Sequence, residues 1–154
     1  MRNYFLVLMG ALLCVGCASQ KKETTLRMYE QVTSSLPSKM YRRVPIPSAG
    51  IEINVDPYPV LTERDIFKAE LYPTAGGQAL LLRFEPVRMM RMDELTTRLR
   101  GRYLVTFLDD RPVAAWYVDR RIQNGEMLIE GDFTEEEAKK AVESLTRQSK
   151  KRNN

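Results

Sequence analysis

The sequence predicts an α+β domain: a mixed or antiparallel sheet of about five to six strands with two main helices on one face. Three observations carry this. In residues 51–55, Ile51, Ile53 and Val55 alternate with Glu52 and Asn54, the period of a strand with one buried face. Met89, Met92, Leu95, Thr96 and Leu99 recur at helical spacing, as do Ala138, Ala141, Val142 and Leu145. Further apolar runs come in pairs around turn residues, and the resulting order of strands, helix, strands, helix places the helices to one side of a sheet.

The elements follow in chain order. Arg2 precedes an unbroken apolar and small stretch from Tyr4 to Val15, long enough for a signal-peptide core and short of the about 20 residues a transmembrane helix needs. The stretch ends at Gly16-Cys17, which resembles the lipobox cut by lipoprotein signal peptidase. Cys14 stands where that pattern prefers Leu, and Leu13 lies one place further out. Residues 1–16 are therefore read as a lipoprotein signal peptide, with Cys17 acylated and residues 17–38 as lipidated cysteine and tether. A cut after Ala18 by the ordinary peptidase and an uncleaved anchor are the competing readings. Within the tether, Leu26, Tyr29 and Val32 are spaced for a short helix over residues 25–36, closed by Pro37. The domain proper is assigned to residues 39–148 and a frayed basic tail to residues 149–154.

Pro45 and Pro47 restrict residues 39–47 to an edge strand or an extended lead-in. Thr62 with Asp65 three residues on is a capping-box start to a single helical turn. Residues 67–72 and 78–84 flank Pro73-Thr74-Ala75-Gly76-Gly77, which reads as a hairpin with a glycine-bearing loop. Pro86 then breaks the strand, and the helix runs from about residue 88 to residue 100, stopped by Gly101. Residues 102–108 and 113–118 pair around Asp109-Asp110-Arg111-Pro112, and Asn124-Gly125 turns into a strand over residues 126–130. Thr134, Glu135, Glu136 and Glu137 open the last helix with a capping box and carboxylates at its positive end.

Composition closes off much chemistry. The chain has no histidine, so no Ser-His or Cys-His pair and no His-built metal site. Its two cysteines, Cys14 and Cys17, both lie at the N-terminus, leaving no thiol, disulfide or sulfur ligand in the body. The net charge of +4, or +3 without Arg2, is too mild and too scattered to point to nucleic acid. No cofactor, metal, small-molecule substrate or catalytic residue is expected.

The remaining clusters have ordinary explanations. Asp109 and Asp110 are turn residues before they are an acid/base pair, and helix-start electrostatics account for Glu135, Glu136 and Glu137 without calcium. Gly76-Gly77 is followed by a strand and lacks the Lys-Ser/Thr of a phosphate loop. Met89 and Met92 share the core stripe, with Met90 off it. Nine arginines against six acids lie between residues 83 and 121, an excess open to anionic lipid or an acidic partner but more simply a solvated face. Trp116 beside Tyr117 on a strand puts one ring inward and one outward. Tyr103, Trp116 and Tyr117 are the candidate partner contacts.

Read together, residues 50–147 resemble the head subdomain of the first periplasmic domain of SecD, a subunit of the bacterial protein-export machinery. The residues that carry the resemblance are Leu61-Thr62, Asp65-Ile66 and Ala69; Leu80, Leu82 and Phe84; Leu95-Thr96 and Gly101-Arg102; Leu104 through the LDDRPV segment to Val113; and Ile122, Gly125, Ile129 and Gly131-Asp132-Phe133-Thr134 with Glu137-Ala138. Ala114-Ala115-Trp116 departs from the Ser-Ala-Pro that often follows the hairpin in that family. The resemblance implies the fold and a tendency to contact polypeptide. It does not imply translocation, since the membrane-spanning motor of SecD has no counterpart in the sequence. The expected function is a non-enzymatic, lipid-anchored envelope module facing the periplasm, on the outer membrane where the organism has one. It would bind a protein or unfolded polypeptide through a sheet face or edge by strand addition. The alternative is a structural envelope protein contacting anionic lipid or another shell component through its arginines.

Overall fold

The computed structural model describes residues 23–33 and 37–153. Among these described residues nine strands and two α-helices follow one another: β1 (Leu26–Glu30), β2 (Arg42–Ile46), β3 (Ile51–Val55), β4 (Leu61–Thr62), β5 (Ile66–Thr74), β6 (Gly77–Phe84), α1 (Pro86–Arg98), β7 (Tyr103–Leu108), β8 (Arg111–Tyr117), β9 (Glu126–Ile129) and α2 (Glu135–Asn153). The α+β class with two helices is as the sequence predicts. The strands are more numerous than the five to six expected and form three sheets, ordered β4-β1-β7-β8, β2-β3 and β5-β6-β9, and every pairing is antiparallel.

The segment expected to be a helix over residues 25–36 is instead the strand β1, paired with β4 on one side and β7 on the other. The physical reason is that β1 is buried on both faces. Leu26 and Met28 enter one core and Tyr29 enters another. A strand packed on both sides has no apolar/polar alternation, and its side chains imitate helical spacing. Residues 34–36 of that expected helix lie outside the described residues, as do the signal peptide and Cys17.

The four-stranded sheet divides the molecule. One face joins Leu26, Met28, Leu104 and Leu108 to the β5-β6-β9 sheet through Leu80, Leu82 and Ile129, and to both helices through Met92, Leu99, Ala141 and Leu145. The other face carries Tyr29, Val105 and Phe107 and is covered by the β2-β3 hairpin through Val44, Ile46, Ile53 and Val55. Tyr29 meets Phe107 edge-to-face at 5.0 Å, and the Arg42 guanidinium lies 4.4 Å from the Phe107 ring centre. Pro45 is tolerated because β2 pairs with β3 alone.

Local devices follow the predicted chemistry. Thr62 and Asp65 form the capping box, with the Thr62 N–H donating to Asp65 Oδ2 at 2.9 Å. The β5-β6 turn is tighter than expected, because Pro73 and Thr74 stay in the strand and pair with Gln78 and Gly77. Helix α1 starts at Pro86, whose missing N–H costs nothing in the first turn, and ends at Arg98 rather than residue 100. Asp109 and Asp110 both have positive φ, 49° and 66°, the two-residue turn that matches strand twist. Asp109 also accepts the Thr25 N–H at 2.9 Å, which ties the turn to the start of β1. The basic segment from residue 149 is not frayed: α2 runs on through it to Asn153. Ser149 is buried there, and Arg152 donates to the Ile66 carbonyl at 2.7 Å.

Candidate functional site

A concave feature lies between two sheet edges. β8 ends the four-stranded sheet and β9 ends the three-stranded one, each paired on one side only among the described residues. A cleft of about 370 Å³ opens where they approach, lined by Trp116 of β8, Met127 and Leu128 of β9, and the connecting residues Arg120, Arg121 and Ile122. Trp116 stands opposite Leu104 in register, on the face that packs against the larger core, and is half-buried. Leu128 points away from that core and is exposed.

The connection from Val118 to Gly125 forms the wall and is fastened at several points. Thr96, fully buried in α1, accepts the Ile122 N–H at 3.0 Å while donating to the Met92 carbonyl at 2.7 Å. The Phe84 N–H donates to the Gly125 carbonyl at 2.9 Å. The Gly101 N–H donates to the Val118 carbonyl at 2.9 Å, and Gly101 has a φ of 79° that suits the turn leaving α1. Arg121 clamps Asp93 of α1 with Nε at 2.8 Å and Nη2 at 2.7 Å.

That clamp sets the local electrostatics. The hydrogen bonds from Arg121 hold the Asp93 carboxyl below its ordinary value of 3.8, and those to Asp93 raise Arg121 further above its own. A carboxyl whose pKa is depressed by folding contributes stability above its unfolded value and loses it as pH falls through the folded one. Emission from Trp116, the sole tryptophan, is therefore expected to hold steady through neutral pH and to shift red only below pH 3.8. Asp93→Asn should show the shifted emission at neutral pH; an unchanged titration in that variant would rule the clamp out as the cause.

On the outer side of the β5-β6-β9 sheet, Arg83 bridges Glu70 of β5 and Glu126 of β9, the latter through Nε at 2.8 Å. The hydrogen bond to Glu126 raises Arg83, and one from Lys68 lowers Glu70. Most of the arginine excess is matched in this way: Arg88 to Asp65, Arg98 to Glu30 and Arg111 to Glu137 are also ion pairs. Among the described residues no group of three or more carboxylate, thiol or imidazole side chains is placed to hold a metal.

The three candidate contacts do not share one surface. Tyr103 and Tyr117 are cross-strand partners with rings edge-to-face at 5.3 Å, and they lie on the opposite sheet face from Trp116. Tyr117 is exposed and Tyr103 packs on the smaller core. Of the three, only Trp116 lines the cleft. Arg120, Arg121, Met127 and Leu128 were not singled out by sequence reading, because nothing local shows that residues 116 and 128 face one gap.

The family model of the SecDF P1 head subdomain matches residues 38–147. The chain belongs to the SecDF P1 head family. Three solved SecDF structures resemble it. One, in a super-membrane-facing form, aligns with TM-score 0.59 at 22% identity over 80% of this chain and 18% of that one. A second, of SecDF as a membrane component that enhances protein export, gives TM-score 0.60 at 22% identity over 80% and 62%. The third is SecDF of Thermus thermophilus, a translocon-associated membrane protein, with TM-score 0.50 at 21% identity over 81% and 20%. The present chain thus spans less than two thirds of each. No curated protein sequence matches it. Among the described residues no helix is long and apolar enough to cross a membrane.

The residues that carry the SecDF head signature are scaffold. Thr62 and Asp65 cap a turn, Thr96 holds the cleft wall, and Thr134 and Glu137 cap α2, the Thr134 N–H donating to Glu137 Oε2 at 2.7 Å. The cleft lies beside this scaffold and shares Ile122 with it.

Proposed function

We propose that this SecDF-type head is a non-enzymatic envelope module, tethered through acylated Cys17, that binds extended polypeptide in the service of protein export. The cleft between the β8 and β9 edges is the observation that carries the reading. An extended segment laid along the outer edge of β9 would gain main-chain hydrogen bonds from an unpaired strand, with Trp116 and Leu128 offering apolar contact to alternate side chains. β9 is only four residues long, which limits self-association through the same edge. The clamped wall favours a site formed before its ligand arrives, so less ordering opposes binding. Membership of the SecDF head family supports a polypeptide partner, and the arginines that prompted the anionic-lipid alternative are largely spent on internal ion pairs.

A photo-crosslinking residue at Leu128 is the direct test. During export of unfolded clients it should trap polypeptide, whereas the same residue at Tyr58, exposed in the connection between β3 and β4 and outside the cleft lining, should not. Equal trapping at both positions, or none at Leu128, would remove the cleft from consideration.

A further inference from the structure

We infer that the outer face of the C-terminal half of α2 lies against anionic lipid headgroups, so that the domain sits on the bilayer in one orientation. This rests on the acylation of Cys17. The described chain enters the domain alongside that half of α2. The Thr24 N–H donates to Ser144 Oγ at 2.8 Å, Gln148 Nε2 donates to the Thr24 carbonyl at 2.9 Å, and Lys151 Nζ donates to Glu23 Oε1 at 2.8 Å. Thr24 is fully buried in this seam.

Five residues, 18–22, separate Cys17 from Glu23. Even fully extended, those six Cα steps reach at most about 20 Å. A domain of this size is roughly 35 Å across. Only the side on which Glu23 emerges can then meet the bilayer that holds the acyl chains.

That side is basic. At 100° per residue, Glu143, Arg147, Lys150 and Lys151 fall on the outward face of the C-terminal part of α2, opposite the buried Ala138, Ala141 and Leu145. After Glu143 the helix carries no acid; Arg147 and Lys150 stand on this face, Lys151 pairs with Glu23, and Arg152 turns inward to the Ile66 carbonyl. Val142, Glu143, Thr146, Arg147, Lys150 and Lys151 line a shallow open groove there, in which three cations outnumber one carboxylate over a partly apolar floor. Each lysine or arginine held near an anionic surface strengthens attraction by about fivefold. The geometry also serves the cleft. α2 packs on β5, and β9 is the opposite edge of that sheet, which apposition of α2 would leave turned away from lipid.

The mature body carries no cysteine besides Cys17, so a single added thiol takes a fluorophore cleanly. Full-length acylated protein labelled at Thr146→Cys or at Met90→Cys would be reconstituted into phosphatidylcholine vesicles with and without phosphatidylglycerol, each bearing a headgroup quencher. Quenching at position 146 should appear with phosphatidylglycerol and weaken in high salt, while position 90 stays bright. Arg147→Gln/Lys150→Gln should lower the apposed population by about thirtyfold relative to the free one. Equal quenching at both positions, or no dependence on phosphatidylglycerol, would overturn the inference. The mass of the N-terminal peptide reads acylation separately: a peptide without acyl chains refutes the anchor itself, and with it this orientation.

Discussion

Gly131→Ala is expected to destabilise the domain by about 3 kcal/mol, at the upper end of what overpacking costs. Gly131 looks permissive, since it is exposed and its φ is not positive. Its missing side chain, however, points inward. A Cβ there would lie 2.5 Å from the Val113 carbonyl oxygen, 3.0 Å from Phe133 Cε1 and 3.1 Å from Ala114 Cβ. The first of these is backbone and cannot swing aside. The same carbonyl accepts the Asp132 N–H at 2.7 Å, so moving the chain out also lengthens the bond that ties the α2 lead-in to β8. Thermal unfolding should fall by roughly 10 °C. Gly76→Ala is the matched control, because its Cβ would meet nothing closer than 3.9 Å, and its stability should change by less than about 0.5 kcal/mol. Similar midpoints for the two variants would refute the close-approach account.

Leu104→Ala is expected to cost about 2–5 kcal/mol, the range for deleting a fully buried leucine that its surroundings cannot refill. Leu104 is completely buried, lies between β1 and β8 in the middle of the larger core, and stands in register with Trp116. The cavity would open directly behind the cleft. Chemical denaturation should therefore show the lost stability, and Trp116 emission in the folded state should broaden or shift red as the ring gains freedom. Val44→Ala, in the core under the β2-β3 hairpin, should lose stability while leaving that emission unchanged, because Val44 packs on the other sheet face. A tryptophan signal that moves equally in both variants would mean the two cores are not separate.

These two sites show how much of the fold was readable in advance. Strands β3 and β6 and both helices were legible because each has one buried face, and the hairpin around residues 109–112 because its turn residues mark it, although β7 like β1 is buried on both faces. The turn at Asp109-Asp110, the capping boxes at Thr62 and Thr134, and the placement of Met92 in the core with Met90 exposed follow from residues within one turn of each other. β1 was not legible. Leu26, Met28 and Tyr29 serve two cores at once, and the pattern they leave, read alone, has the spacing of a helix. Helix α2 was read as ending near residue 148 because lysines and arginines resemble a tail. It continues because Ser149 is buried and Arg152 reaches the Ile66 carbonyl, contacts supplied by β5 more than 80 residues earlier in the chain.

The sequence by itself determined the α+β class, the family, the paired turns and caps, and the lack of histidine or body cysteine for nucleophilic or metal chemistry. Each of those depends on residue type or on neighbours within a few positions, where sterics and hydrogen bonding act locally. Only the tertiary structure decided that the strands divide into three sheets, that Trp116 parts company with Tyr103 and Tyr117, and that β8 and β9 leave a cleft between two unpaired edges. It also decided that the chain enters beside the basic end of α2. Those are meetings of residues from 11 to 128 positions apart. Which distant surfaces meet is settled by how the buried faces of all elements are satisfied together, and no local spacing encodes that.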